Sequence, residues 1–337
     1  MPNSAHLTEY ADLPVIEFPP SEAGDPAPYH PLPSSEELAA AVAAPESAAW
    51  RLRIDPYEAP GDFSAYFARF VAEVDTSRVR ALVIGMWGDG YDTPPTVPRD
   101  LLIAHAEAFP SLRALFFGDI VYEENEISWI QQSDLSPLAG AFPALEELTV
   151  RGTGDHAVGD SVLDLHLPEH TGLRTLTVQS GGLPGRVSRG IASSGLPALE
   201  NLELWLGVDT YGGDTAPRDL APVLSGEAFP ALRYLGLRNA EGVDDWIAVL
   251  AEAPVTASLD VLDLSLGTLT DAGGRALVDA ADAFRHLRRL DLHHHYLSEE
   301  TAERVRAALP GVEVDLSDVQ TPRSHDGEAY YYTAVAE

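Results

Sequence analysis

Three phrases nearly coincide along the chain: Ala108–Leu115 (AFPSLRAL), Ala141–Leu148 (AFPALEEL) and Ala228–Leu235 (AFPALRYL). Weaker copies lie at Leu173–Val178, Leu199–Leu204, Leu259–Leu264 and Leu287–Leu292. Val79–Ile84 is an early copy and Val312–Leu316 a shortened last one. The fourth position of each full copy is Leu82, Leu115, Leu148, Leu176, Leu202, Leu235, Leu262 and Leu290, at intervals of 26 to 33 residues. Repetition of this kind overrides a domain count taken from length. The alternating apolar residues predict a short strand with one buried face in each copy. An apolar helical stretch follows most copies, as at Asp245–Ala251 and Gly274–Ala283. One such unit cannot bury its own face, so the units must stack.

The pattern L-x-x-L-x-L resembles the leucine-rich repeat, and it runs from residue 49 to residue 316. The longer units are similar to the helix-bearing, ribonuclease-inhibitor-like subclass. The resemblance implies a right-handed α/β leucine-rich-repeat solenoid, a horseshoe with a parallel concave sheet and convex helices. Leu269–Leu277 and Leu297–Leu309 read as two of those helices, with Thr270 or Asp271, and Ser298, as N-caps. One position departs from the family. Where it places Asn or Cys, eight residues after the first Leu, this chain has Trp87, Ile120, Thr153, Gly181, Gly207, Ala240, Gly267 and His295. A buried Asn ladder therefore cannot carry the turns. The blocks Ala81–Trp87, Phe117–Ser136, Leu204–Asp214 and Leu290–Ser298 further resemble a bacterial family of leucine-rich-repeat proteins with no assigned activity.

The flanks differ from the repeats. Residues 1–48 are rich in Pro and acids and read as a strand at Leu13–Phe18, a linker, and a helix near Glu36–Ala44. A solenoid needs such a cap over its first layer, and Trp50–Ile54 reads as the strand beneath it. Residues 49–316 form the solenoid and residues 317–337 a tail. That tail is either a disordered terminus or docks through Tyr330, Tyr331 and Tyr332.

Composition removes several chemistries. The chain has no Lys and no Cys, so its 21 cations are all Arg. No Schiff-base or P-loop lysine, cysteine nucleophile, Cys-ligated metal or disulfide is available. With 53 acids the net charge is −32, which argues against a nucleic-acid backbone or an anionic membrane as partner. Met1–Phe18 lacks the basic and apolar regions of a signal peptide, and cytoplasm is the default expectation. No G-x-S-x-G elbow occurs. Gly181–Gly190 is glycine-rich, but Pro184 breaks a phosphate-binding helix start there.

Positions three, five and seven of the repeat point out of the concave face, and equivalent residues form rows about 4.8 Å apart. Near the N-terminus these rows are small and apolar, with Phe116 and Trp87 beside them. Toward the C-terminus they carry Glu203, Trp205, Tyr234, Arg238, Asp263, Arg289, Asp291 and His293, with Arg151 between. Trp, Tyr and Arg dominate interface hot spots. The expectation is a non-enzymatic scaffold, without cofactor, gripping a protein partner that offers a basic patch. Three units carry extra residues after the strand: Trp87–Arg99, Asp119–Asp134 and Gly207–Arg218. Their Tyr91, Tyr122, Trp129 and Tyr211 are expected to form a rim clasp. The alternative is a small-molecule or divalent-metal site built from Asp263, Asp291 and His293, with Glu203 nearby.

Overall fold

The computed structural model describes residues 4–20, 32–54, 62–88, 93–153, 162–325 and 327–336. Pro2–Thr175 and Leu176–Ala336 are two compact units. The N-terminal unit holds β1 (Glu9–Tyr10), β2 (Leu13–Glu17), β3 (Ala49–Leu52), β4 (Ala81–Ile84), β5 (Ala114–Phe117) and β6 (Glu147–Arg151), side by side in chain order. All neighbours are parallel except β1 on β2. The repeat's fourth position sets the register: Trp50 pairs with Leu82, Leu82 with Leu115 and Leu115 with Leu148. Helices α1 (Ser35–Ala43), α2 (Phe63–Glu73), α3 (Thr96–Ala104) and α4 (Ser136–Ala141) intervene. In α2 the spacing of Phe63, Tyr66, Phe67 and Phe70 makes an apolar stripe, and Asp62 caps the helix by accepting from Ser64 N. Phe18, Trp50 and Phe70 meet at centroid distances of 5.2 to 6.4 Å and pack the first layer.

The C-terminal unit repeats the scheme. Its strands are β7 (Thr175–Gln179), β8 (Asn201–Gly207), β9 (Tyr234–Ala240), β10 (Val261–Asp263), β11 (Arg289–Asp291) and β12 (Glu313–Asp315). Leu202, Leu235, Leu262, Leu290 and Val314 pair in succession. Helices α5 (Gly185–Ala192), α6 (Ala221–Leu224), α7 (Val243–Glu252), α8 (Asp271–Asp279), α9 (Ala281–Phe284) and α10 (Glu299–Ala308) connect them, and α7 packs on α8 and α8 on α10. Thr270 and Ser298 are the N-caps of α8 and α10. The α/β leucine-rich-repeat solenoid is thus the fold. No helix among the described residues is long and apolar enough to cross a membrane.

The missing Asn ladder is replaced one residue earlier. Gly152, Asn239, Leu266, His294 and Asp318 occupy the same repeat position, and each has positive φ, from 52° to 132°. A left-handed residue therefore turns the chain out of the strand. Only Gly takes that conformation without cost, so the four other residues must be held by their surroundings. Asn239 is held by the tail: its side-chain amide donates to Val335 O and accepts from Val335 N. Ala334 N donates to Leu266 O, and Tyr332 exchanges hydrogen bonds with the Tyr296 hydroxyl. The tail docks, after a hairpin of β13 (Arg323–His325) and β14 (Glu328–Tyr330).

Candidate functional site

The strand face of the N-terminal unit is covered. Ala49, Ala81, Val83, Ala114 and Phe116 form an apolar floor, and Tyr10 lies buried on it with Leu7, Ala11, Leu13 and Val15. The Tyr10 and Phe116 rings are 5.9 Å apart. Phe116 was expected on an open surface; instead the chain's own first residues bury it. Trp87 is buried too, against Phe117 at 5.5 Å, with its indole N–H donating to Thr93 O.

Beside this floor lies a buried ionic cluster of which repeat reasoning names only Arg151, and that as an open-face residue, whereas Arg151 is buried here. Arg51 comes from β3 and Arg53 from the residue just past its end, Glu17 from β2, Arg151 from β6, and Asp119 and Glu124 from the loop after β5. Arg51 is 2.9 Å from Asp119, and Arg53 2.6 Å from Glu124 and 3.5 Å from Glu17. Arg151 is 3.6 Å from Asp119, donates to Ile120 O, and sits 5.0 Å over the Phe116 ring. His6 reaches in from the N-terminal segment, its Nδ1 3.2 Å from Asp119 and its Nε2 3.2 Å from Glu124. Burial disfavours charge on His6, but hydrogen bonds to the two carboxylates outweigh it and raise its pKa. Burial also works against the Asp119 carboxylate, yet His6, Arg51 and Arg151 hold its pKa down at about 2. The signal in the sequence was the pair Arg51 and Arg53 inside an otherwise apolar run.

The C-terminal unit presents a polar face. Glu203 accepts from the Trp205 indole at 2.7 Å, the Tyr234 hydroxyl at 2.7 Å and Arg238 at 3.0 Å. Tyr234 also reaches Asp263 at 3.0 Å, and Arg238 lies 3.3 Å from Asp263 and 5.6 Å over the Trp205 ring. Trp205 is buried by these contacts, while Tyr234, Arg238 and Glu203 stay half-buried. Further along, Arg289 contacts Asp291 at 2.7 Å, Glu313 at 2.9 Å and Asp315 at 2.9 Å. His293 Nδ1 is 2.7 Å from Asp291, which raises the His293 pKa. Burial opposes the Asp291 charge, but bonds from His293 and Arg289 hold its pKa far below the carboxylate range.

The consecutive histidines divide their work. His293 joins the face; His294 makes the left-handed turn and approaches Gly267 O at 3.3 Å. His295 is buried at the departed Asn position and bridges backbone there, Nε2 to Leu316 O and Nδ1 to Leu297 N. Among the described residues, Asp291, His293 and Asp315 form a ligand-capable group whose atoms lie within 4.8 Å of one another. Asp263, expected among them, is drawn instead to Tyr234 and Arg238. In the long loops, Tyr122 and Trp129 are exposed (40% and 42%), Tyr211 is half-buried, and Tyr91 lies outside the described residues. At the glycine-rich stretch, the Asp214 carboxylate accepts from Gly185 N, occupying the start of α5.

The chain is similar to a Bacteroides fragilis protein of known crystal structure, at a TM-score of 0.74 and 31% identity, over 84% of this chain and 76% of that one. Two looser likenesses are a TLR13–ssRNA13 complex (TM-score 0.37, 15% identity, 78% and 35% covered) and the internalin inlF of Listeria monocytogenes (0.35, 16%, 72% and 68%). Neither aligns closely enough to bear on function. No family model matches the sequence, and no curated protein does.

Proposed function

The chain belongs to the leucine-rich-repeat family of that Bacteroides fragilis protein, and on that premise we propose that it is a non-enzymatic scaffold gripping a protein partner on the strand face of its C-terminal unit. The observation that carries this reading is the preordered row from Glu203 through Tyr234, Arg238 and Asp263 to Arg289, Asp291 and His293. Side chains already locked in one arrangement lose little freedom on binding. Carboxylates outnumber guanidinium groups along the row, so the partner presents a basic patch. The exposed Tyr122 and Trp129 of the long loop in the N-terminal unit serve as a further anchor. Affinity capture from native extract tests the surface. The wild type recovers a partner that an Arg289→Ala/His293→Ala variant loses; equal recovery by both overturns the reading.

A second reading has its own observation, the convergence of Asp291, His293 and Asp315. A divalent ion there must displace Arg289, which contacts both carboxylates. Calorimetry with Mn²⁺, Zn²⁺ and Ca²⁺ decides: heat beyond dilution, lost in Asp315→Asn, supports the metal reading, and its absence removes it.

A further inference from the structure

We propose that the strand face of the N-terminal unit is a peptide-binding site occupied by the chain's own residues 4–13, and that its external ligand is an extended segment carrying a cation four residues ahead of an aromatic ring. This proposal stands independently of the C-terminal face.

The floor is shaped for a side chain. Ala49, Ala81 and Ala114 line it with methyl groups only, which leaves the depth that the Tyr10 ring fills against Phe116. One end of the trough is an ionic pocket, in which Asp119 is paired with Arg51 and Glu124 with Arg53. Asp119 and Glu124 have fully buried side chains, and both meet the His6 imidazole at 3.2 Å. Between these ends, Arg51 donates to Leu7 O, gripping the segment's backbone without regard to sequence. An apolar slot, a charge-selective pocket and a main-chain anchor are the three parts of a site for an extended peptide.

The occupant is held by these contacts and not by its own connection. The turn that folds it back places Ala11 at φ 51° and Asp12 at φ 59°. Such a turn suits Gly or Asn, and Ala there is strained. Pairing of β1 with β2 is short, Glu9 with Pro14 and Tyr10 with Leu13, and one more backbone bond runs from Val15 N to Thr8 O. A short arm on a strained turn exchanges with competitors readily. The ligand class follows from what the arm supplies: a cation where His6 stands and a ring where Tyr10 stands. His6 owes its charge to the two carboxylates that raise its pKa, whereas Arg is always charged, so Arg at that place is the stronger version.

The test uses the full chain and a fluorescent peptide with the sequence of residues 4–13, read by anisotropy. The His6→Ala/Tyr10→Ala variant, whose own arm is weakened, binds the peptide at least about 10-fold more tightly than wild type, because more of its face is free. A peptide with Arg in place of His6 binds that variant more tightly than one with Ala there. A variant that is folded by circular dichroism yet binds no peptide, or wild type and variant binding equally, overturns the site. Equal binding of the Arg and Ala peptides overturns the ligand class. Should the double variant not fold, amide exchange of residues 5–10 answers the same question. Ala11→Gly relaxes the turn and slows that exchange, whereas unchanged or faster exchange shows that the arm is not held as proposed.

Discussion

The two strand faces use the same repeat positions and resolve them in opposite ways. In the N-terminal unit the outward positions are small or apolar, and the chain spends its first residues covering them. In the C-terminal unit they are charged and aromatic, and the side chains satisfy one another, burying Trp205, Asp263 and Asp291 while Glu203, Tyr234, Arg238, Arg289 and His293 stay half-buried. The ionic groups differ accordingly. Asp119 and Glu124 are sealed from solvent, so each partner matters; Arg289 and His293 remain partly solvated, so each contributes less. A repeat fixes which side chains point outward but leaves open whether solvent, a partner or the chain itself receives them.

Substitutions should separate the faces by size of effect. Asp119→Ala strands Arg51, Arg151 and His6 in a sealed site and should cost about 3–5 kcal/mol in urea unfolding of the N-terminal unit. Tyr10→Ala empties the trough over Phe116 and should cost about 3 kcal/mol by the same measurement. Arg238→Ala leaves buried Asp263 beside Glu203 without its cation, but both carboxylates keep the Tyr234 hydroxyl, so a loss of about 2 kcal/mol is expected. A loss as large as that of Asp119→Ala would erase the distinction between the faces.

The smallest effect is a titration. The His6 pKa is raised in the folded chain, so its contribution is complete below the ordinary value of 6.5 and is lost as pH rises through the raised one. Asp119 runs the other way: its contribution holds above the ordinary 3.8 and is lost as pH falls through about 2. Amide exchange of residues 5–10 should therefore accelerate on the alkaline side, and His6→Arg should abolish that change. His293 is raised in the same direction but lies half-exposed, so exchange near β11 should respond less.

Periodicity located the strands β4 to β12 and several helices, because a buried stripe must recur, but not the tail hairpin of β13 and β14. It placed Thr270 and Ser298 as caps, since capping chemistry is local. It also gathered Glu203, Tyr234, Arg238 and Asp263 on one face, because rows follow from register. What it missed is non-local. Nothing within residues 4–12 says that Tyr10 reaches Phe116, or that His6 meets a loop more than a hundred positions away. The expectation of an open apolar surface around Phe116 fails for that reason. Only His293 of the histidine run reads as a face residue from the sequence, and a left-handed turn at His294 indeed sends the three rings to separate tasks.

The clamp between Asn239 and Val335 has a consequence for how the molecule is made. Repeat stacks can assemble vectorially, each new layer settling on the one before. Here the turn leaving β9 is completed by a residue synthesised 96 positions later. The amide of Asn239, fully buried in the finished fold, is left to water until Val335 arrives. The unit thus cannot lock progressively from one end. Its middle tightens last, and nascent chains interrupted before the tail should mature as looser, protease-sensitive species.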